Sequence, residues 1–327
     1  MPDNFFEAEV LELEALDPSG REIYTWRWPV KRPEQYIPDV INDLDYPESG
    51  ITAILTDHKL QVEVGKISYT FDLGDGKLLG VTNHKGALSF EGGPTPVGYE
   101  WGENTIREVE WKKRNDGSLI VQGKYDRYPS SFEWIVRKDG LLELHTEQLK
   151  HNQEDIHFLG ISFNYPETKM NGFRWMGNGP YRVYKNRLRG TTFDVWEKEY
   201  NNTITGESFD SLIYPEFKGY HSNLYGATFD TDESDFHVYC LSPDIYLKMY
   251  NPTPPQNPGD AIVPYPEGDI SFLHYIPGIG TKFQEIGDLG PSAQPERHAW
   301  RTGDIYAPLS LVFDFHADVD IEIDSSH

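Results

Sequence analysis

The stretch from Phe173 to Tyr200, FRWMGNGPYRVYKNRLRGTTFDVWEKEY, gathers side chains suited to gripping a polar ligand. Gly177 and Gly179 bracket Asn178 and permit a tight backbone path, and Pro180 restricts φ just beyond them. Tyr181, Arg182, Tyr184, Lys185 and Arg187 then concentrate aromatic and cationic groups in an otherwise acidic chain. Tyr and Trp present a flat apolar face with a polar edge, the shape that stacks on the C–H face of a sugar. One reading is a loop offering stacking and hydrogen-bonding groups to a polar ligand or a partner domain. The other is structural: Arg182 and Arg187 pair with carboxylates such as Asp194 and Glu197 while the tyrosines pack.

Other chemistry is sparse. The chain has no GxSxG, HExxH, Walker loop or GxGxxG at a strand–helix junction. His145, His151 and His157 recur every six residues, which sets no ligand geometry, so neither a metal nor a cofactor is implied. Cys240, the single cysteine, sits in the apolar run FHVYCLS and reads as a small buried hydrophobe. Asn201-Asn202-Thr203 matches a glycosylation sequon, a pattern frequent by chance. Glycoside hydrolysis needs two carboxylates about 5–9.5 Å apart. With 53 Asp and Glu residues, abundance selects no such pair.

The charge balance narrows the partners. In 327 residues, 29 Lys and Arg against 53 Asp and Glu leave a formal net charge of −24. Nucleic acid and anionic membrane surfaces both require a basic face, so neither is expected. No apolar run approaches the roughly 18 residues of a membrane-spanning helix. The start, MPDNFFEAEVLELEAL, lacks the basic and small-residue features of a signal peptide, which leaves the compartment open.

The elements that must position these groups are strands. In SSFEWIVRKDGLLELHTEQ, Phe132, Trp134 and Val136 share a face, the Lys138-Asp139-Gly140 turn reverses the chain, and Leu142 and Leu144 return. Asp75-Gly76 and Asp116-Gly117 repeat the turn signal. Leu309, Leu311, Phe313 and Phe315 alternate as a closing strand. Helices are scarce, which excludes a (β/α)₈ barrel. The pattern predicts an all-β fold, a large antiparallel sandwich preceded by a short strand pair. Residues 1–35 hold that pair, joined at Asp17-Pro18-Ser19-Gly20; residues 36–50 read as a linker and 51–327 as the main body. Asn251 to Asp269, rich in proline, reads as an extended surface loop.

The block WMGNGPYRVYKNRL followed by FDVWEKEY resembles the C-terminal region of the β-galactosidases of glycoside hydrolase family 2. The matching residues are Trp175, Gly177, Gly179, Pro180, Tyr184, Arg187, Leu188, Phe193, Asp194 and Trp196. YPEFKGYHSNLY, from Tyr214 to Tyr225, and GDISFLHYIPGIGTKF, ending at Phe283, are similar to two further family blocks, as is YTFDLGDGKLLGV upstream. The resemblance implies that residues 1–35 are the last strands of an immunoglobulin-like domain and that the main body is a galactose-mutarotase-like supersandwich. The family's catalytic glutamates lie in a barrel that this chain lacks, so no catalytic residue carries over. Where the family places a tryptophan after Gly-Ile-Gly, lining a sugar subsite, this chain has Thr281-Lys282-Phe283.

The resemblance therefore implies a non-catalytic portion of a family 2 glycoside hydrolase. It would pack on a catalytic barrel supplied elsewhere and lend a rim loop to binding of a galactoside or plant-wall oligosaccharide. The candidate carbohydrate-binding residues are Trp175, Asn178, Tyr181, Arg182, Tyr184, Arg187, Tyr220, His221, Lys282 and Phe283. An independent carbohydrate-binding module and an aldose epimerase or mutarotase are the alternatives. The last needs an acid and a base flanking a sugar ring, and no motif for them is evident. A chain that packs on a barrel should also expose an apolar patch.

Overall fold

The computed structural model describes residues 8–98, 105–126, 130–147, 156–201, 216–254, 259–295 and 308–316. In chain order the strands are β1 (Val10–Leu16) and β2 (Glu22–Pro29), then, after helix α1 (Pro33–Asn42), β3 (Ile51–Thr56), β4 (Lys59–Val64) and β5 (Ile67–Asp72). Next come β6 (Leu78–Asn83), β7 (Gly86–Leu88), β8 (Glu91–Val97), β9 (Ile106–Lys113) and β10 (Leu119–Tyr125). β11 (Ser131–Val136), β12 (Leu142–Thr146), β13 (Leu159–Asn164), β14 (Met170–Val183) and β15 (Thr192–Glu199) follow. β16 (Gly219–Thr231), β17 (Phe236–Cys240), β18 (Tyr246–Met249), β19 (Ile270–Tyr275) and β20 (Ser310–Asp314) complete the order.

The ladders among these strands are antiparallel: β1 and β2 pair with each other, and β3 to β20 join into one continuous sheet made of two runs. One runs β3-β4-β5-β6-β8-β13-β19-β18 and ends on the first residues of β16. The other runs β9-β10-β11-β12-β20-β17, meets the later residues of β16, and continues through β14 to β15. β16 is the shared strand. Residues of both runs meet in an aromatic core: Phe163 lies 5.4 Å from Phe313 and Phe90 lies 4.9 Å from Phe163, while Trp134 lies 5.8 Å from Phe313. Each such ring, fully withdrawn from water, contributes about 1.5–3 kcal/mol. The fold is an all-β antiparallel supersandwich.

The turns form where the acidic-residue–glycine pairs stand. Gly76, Gly117 and Gly140 all adopt positive φ. The register pairs Trp134 with Leu144 and Val136 with Leu142, so the alternation in sequence is the alternation of burial. The closing strand is β20, flanked by buried Leu309 and Phe315.

The ribbon of β1 and β2 stands apart from that sheet. Asp17 Oδ1 accepts from the backbone N–H groups of Ser19 and Arg21, and Gly20 takes φ of 83°, which closes the turn. Cross-strand partners share a face. Leu11 faces Trp28, Leu13 faces Trp26 and Ala15 faces Tyr24. That face is apolar and open: Leu13 is 56% and Trp28 45% exposed. The other face is mixed and docks through Arg27, which is bonded to Glu12 at 2.6 Å and paired with Asp194 of β15. The Arg27 N–H also donates to Thr192 Oγ1 at 2.7 Å.

Two segments differ from the sequence reading. The expected linker begins as a helix: Pro33 occupies the first turn, where its missing N–H costs nothing. Ile37 and Ile41, one turn apart, bury against Tyr225, Tyr239 and Val312. The proline-rich stretch before β19 is irregular, as expected, but it is not merely superficial. Val263 and Tyr265 pack against Tyr220 and Ile276.

Candidate functional site

The ten candidate residues occupy four places. The first is a buried polar cluster on β14, β15 and β16. Trp175 is sandwiched near Phe173, at 4.7 Å between ring centroids, and His221, at 4.9 Å. Lys198 Nζ lies 5.3 Å from the centre of the Trp175 ring and donates to the Glu216 carbonyl at 2.7 Å. Arg182 reaches Glu216 with Nε 2.7 Å from Oε2, both side chains over nine-tenths buried. Beside them Lys218 pairs with Glu167, which also accepts from the Tyr200 hydroxyl.

Burial governs the chemistry of this cluster. It drives the Lys198 ammonium well below its ordinary pKa, with the neighbouring Arg182 charge adding to the effect. Burial, then the Lys198 charge, likewise holds His221 well below the usual histidine range, so its imidazole is neutral. His221 Nε2 lies 3.4 Å from the Phe217 carbonyl. Trp175 Nε1, Arg182 Nη2 and His221 Nδ1 lack hydrogen-bond partners among the described residues. Trp175 and His221, each 1% exposed, are interior groups rather than a platform open to a sugar. The glycines beside Asn178 serve packing: a Cβ on Gly179 would lie 2.5 Å from Trp196 Cδ1 and 2.8 Å from Trp175 Cζ2. Arg182 pairs with Glu216, not with Asp194 or Glu197; Asp194 is taken by Arg27.

Tyr184 and Tyr220 lie in a second, apolar cluster with Leu273 and Ile276. The Tyr220 hydroxyl donates to the Pro264 carbonyl at 2.9 Å, and its ring stacks on Tyr265 at 5.0 Å. Burial raises its pKa well above the normal tyrosine value. These rings too are packed away.

The third place is at the surface. The 184–187 turn is zipped to the Pro277–Gly280 turn: Lys185 N–H donates to the Pro277 carbonyl at 2.9 Å, and the Asn186 side chain both donates to and accepts from Ile279. Arg187 Nη2 reaches the Gly280 carbonyl at 3.4 Å. The adjoining tip carries Phe283, 80% exposed, with Lys282 Nζ 5.5 Å from its ring centre. Tyr181 is also exposed, on the same strand end as Arg182. Two sequence blocks far apart in the chain thus meet, and they bring Arg187 to Gly280, two residues before Lys282.

Asn178 occupies the fourth place, a cleft of about 350 Å³. Ser222, Asn223, Asp244, Tyr246 and Arg32 line it alongside proline rings and Leu188. Asn223 Nδ2 donates to Asn178 Oδ1 at 3.3 Å, and Arg32 Nη2 to Asp244 Oδ2 at 3.0 Å. Sequence reading missed all of these except Asn178. The one available signal was residue type, since Asn223 (φ 55°) and Asp244 (φ 59°) hold the left-handed conformation that Asn and Asp tolerate best.

The other singled-out groups are structural where they are described. His145 lies 3.0 Å from Ser310 and 3.1 Å from Glu143. Cys240 is buried, which pushes its thiol up to about 12. His151 lies outside the described residues, as does most of the sequon beginning at Asn201. No described helix is long and apolar enough to cross a membrane.

The model of the β-galactosidase small chain family matches residues 65–249, more than half of the chain. The chain belongs to the β-galactosidase small chain family. The small-chain match takes in the buried cluster and all but the Arg32 side of the polar cleft; the Lys282–Phe283 tip lies beyond it. Curated proteins give no match. Among solved structures, a crystal structure from Salmonella typhimurium described as a candidate mutarotase is 9% identical, with a TM-score of 0.37. It covers 85% of this chain and 99% of its own, a likeness too distant to bear on function.

Proposed function

We propose that this small-chain family member is the non-catalytic C-terminal sandwich of a family 2 glycoside hydrolase, β-galactosidase-like, which packs on a catalytic barrel carried outside it. Its exposed tip, with Tyr181, Arg187, Lys282 and Phe283, would edge the mouth of that barrel and contact a galactoside or plant-wall oligosaccharide. The observation that carries this reading is the bare face of the β1–β2 ribbon. Two strands do not make a core of their own. Yet Leu11, Leu13, Tyr24, Trp26 and Trp28 line one side with nothing packed over them among the described residues. Sheet faces of this composition bury against another layer. The family's description as a small chain agrees with a partner bearing the larger part.

The mutarotase alternative fits less well. It needs an imidazole and a carboxylate facing an open sugar-sized space, whereas His221 is sealed and the neighbouring Glu216 is held by Arg182. The test is reconstitution. The chain alone should hydrolyse no nitrophenyl glycoside. Mixed with a barrel-bearing family 2 polypeptide that lacks its own C-terminal sandwich, it should restore galactoside hydrolysis, and the pair Leu13→Glu and Trp26→Glu should abolish that restoration. Turnover by the isolated chain, eliminated by a single carboxylate substitution, would overturn the proposal.

A further inference from the structure

We infer that the cleft around Asn178 is a separate binding site for a neutral hexopyranose. It rests on the carbohydrate-recognition half of the reading above and is independent of whether a barrel docks. The cleft lies at the seam between the N-terminal segment and the sandwich, where Pro29, Arg32 and Pro33 face Asn178, Ser222, Asn223, Asp244 and Tyr246. Its size, about 350 Å³, falls in the range of small-molecule sites, and seams between chain units are a preferred place for them.

The lining has the chemistry of a polyol receptor. A sugar hydroxyl both donates and accepts, so its receptor needs both kinds of group close together. Asn178 and Asn223 bond to each other through one amide N–H and one oxygen, a bond that uses one of the pair's four N–H groups and one of its four oxygen lone pairs. Ser222 adds a hydroxyl, Asp244 an acceptor and Arg32 a donor. Arg32 and Asp244 cancel in charge across the mouth, so the cleft favours neither an anion nor a cation. The proline rings, Leu188 and the half-buried Tyr246 supply apolar surface for the C–H face of a pyranose. Two of the polar groups stand on left-handed backbone, which Asn and Asp tolerate better than other side chains do. Asn223 and Asp244 are two of the four non-glycine residues with positive φ among the described residues, and both line this cleft.

That conformation also supplies clean variants. Asn223→Gly and Asp244→Gly each delete a polar side chain while relieving the backbone, so folding is retained. The test titrates galactose, glucose and lactose into the ¹⁵N-labelled chain and follows backbone amide shifts. Saturable shifts at Asn178, Ser222, Asn223 and Asp244 with at least one sugar are expected. Binding should weaken about tenfold or more in each glycine variant, as loss of a well-placed hydrogen bond predicts, with melting temperature unchanged or raised. Phe283→Ala, at the rim, should leave these shifts intact. Shifts confined to the Phe283 tip and lost in Phe283→Ala would overturn the cleft site while sustaining the rim. Binding unaltered by both glycine variants, or no saturable shift at the four residues, would overturn it as well, with the docking proposal still tested separately by reconstitution.

Discussion

The Arg182–Glu216 pair gives the sharpest quantitative test of the interior. Nε and Oε2 are 2.7 Å apart, and the two side chains are only 5% and 7% exposed. Solvent screening is therefore weak, and removal of one partner strands a charge in the interior at a cost of about 3–5 kcal/mol. Glu216→Gln leaves Arg182 unopposed beside Lys198, whose ammonium is already disfavoured there. That variant should take the full penalty, a fall in melting temperature of about 4–7 °C for a chain of 327 residues. Arg182→Met should cost less, because it removes one of the effects that disfavour the Lys198 ammonium, and Lys198, which already reaches the Glu216 backbone, is placed to neutralise the stranded carboxylate. The double variant replaces the pair with an uncharged one, so it should lose less than Glu216→Gln alone, with a coupling of about 2–3 kcal/mol. Urea unfolding of the four proteins at one pH measures every term of this cycle. Single variants that each cost under about 1 kcal/mol, or a double variant that costs their sum, would refute the claim that this pair is a desolvated unit.

Other expectations follow from equally local features. Gly179→Ala forces a methyl group against Trp175 and Trp196 and should destabilise by about 1–3 kcal/mol, with altered tryptophan emission. Lys248 is buried and its pKa is lowered from 10.5 to about 7, while it donates to the Pro266 and Gly268 carbonyls. Between those values the unfolded chain binds a proton that the folded chain does not. Stability should thus fall as pH drops from 10.5 to about 7, by up to roughly 1.4 kcal/mol per unit, and level off below. Lys248→Met should flatten that slope in denaturation curves taken across the same window. Leu13→Glu with Trp26→Glu, cross-strand partners on the bare face of the ribbon, should lower unfolding free energy by only about 1–2 kcal/mol together, the loss of one apolar pair plus the repulsion of two facing carboxylates. The same pair should reduce retention on a hydrophobic column, and a large loss of stability would mean that the face is already covered.

How much of this was legible in the sequence depends on the range of the interactions involved. The alternation around Trp134 and the Asp-Gly turns are local, and the sheet was readable from them. The resemblance around Trp175 placed the family, because a glycine-spaced motif survives as a string. The use of its side chains did not follow. Trp175 and His221 meet across the β14–β16 ladder, and the residues that bury and charge them, Lys198 and Glu216, enter from other segments. A tryptophan that packs and a tryptophan that stacks on sugar look alike in a strand. Helix α1 escaped notice because its ten residues carry an internal Pro38 and gain stability from Ile37 and Ile41 packing on the sandwich. The cleft drew on five separate stretches of chain, and only the two left-handed residues hinted at it.

The double membership of β16 bears on how the molecule comes apart. Its first residues complete one run of the sheet and its later residues the other, with β14 alongside for most of its length. Neither layer can peel away without rupturing a ladder that belongs to its neighbour. Amide protons of β16, β17 and β18 should accordingly exchange together, through one global opening rather than two staged ones. A nick or lesion along that shared strand would then forfeit the whole body at once, whereas damage at the ribbon would leave it standing.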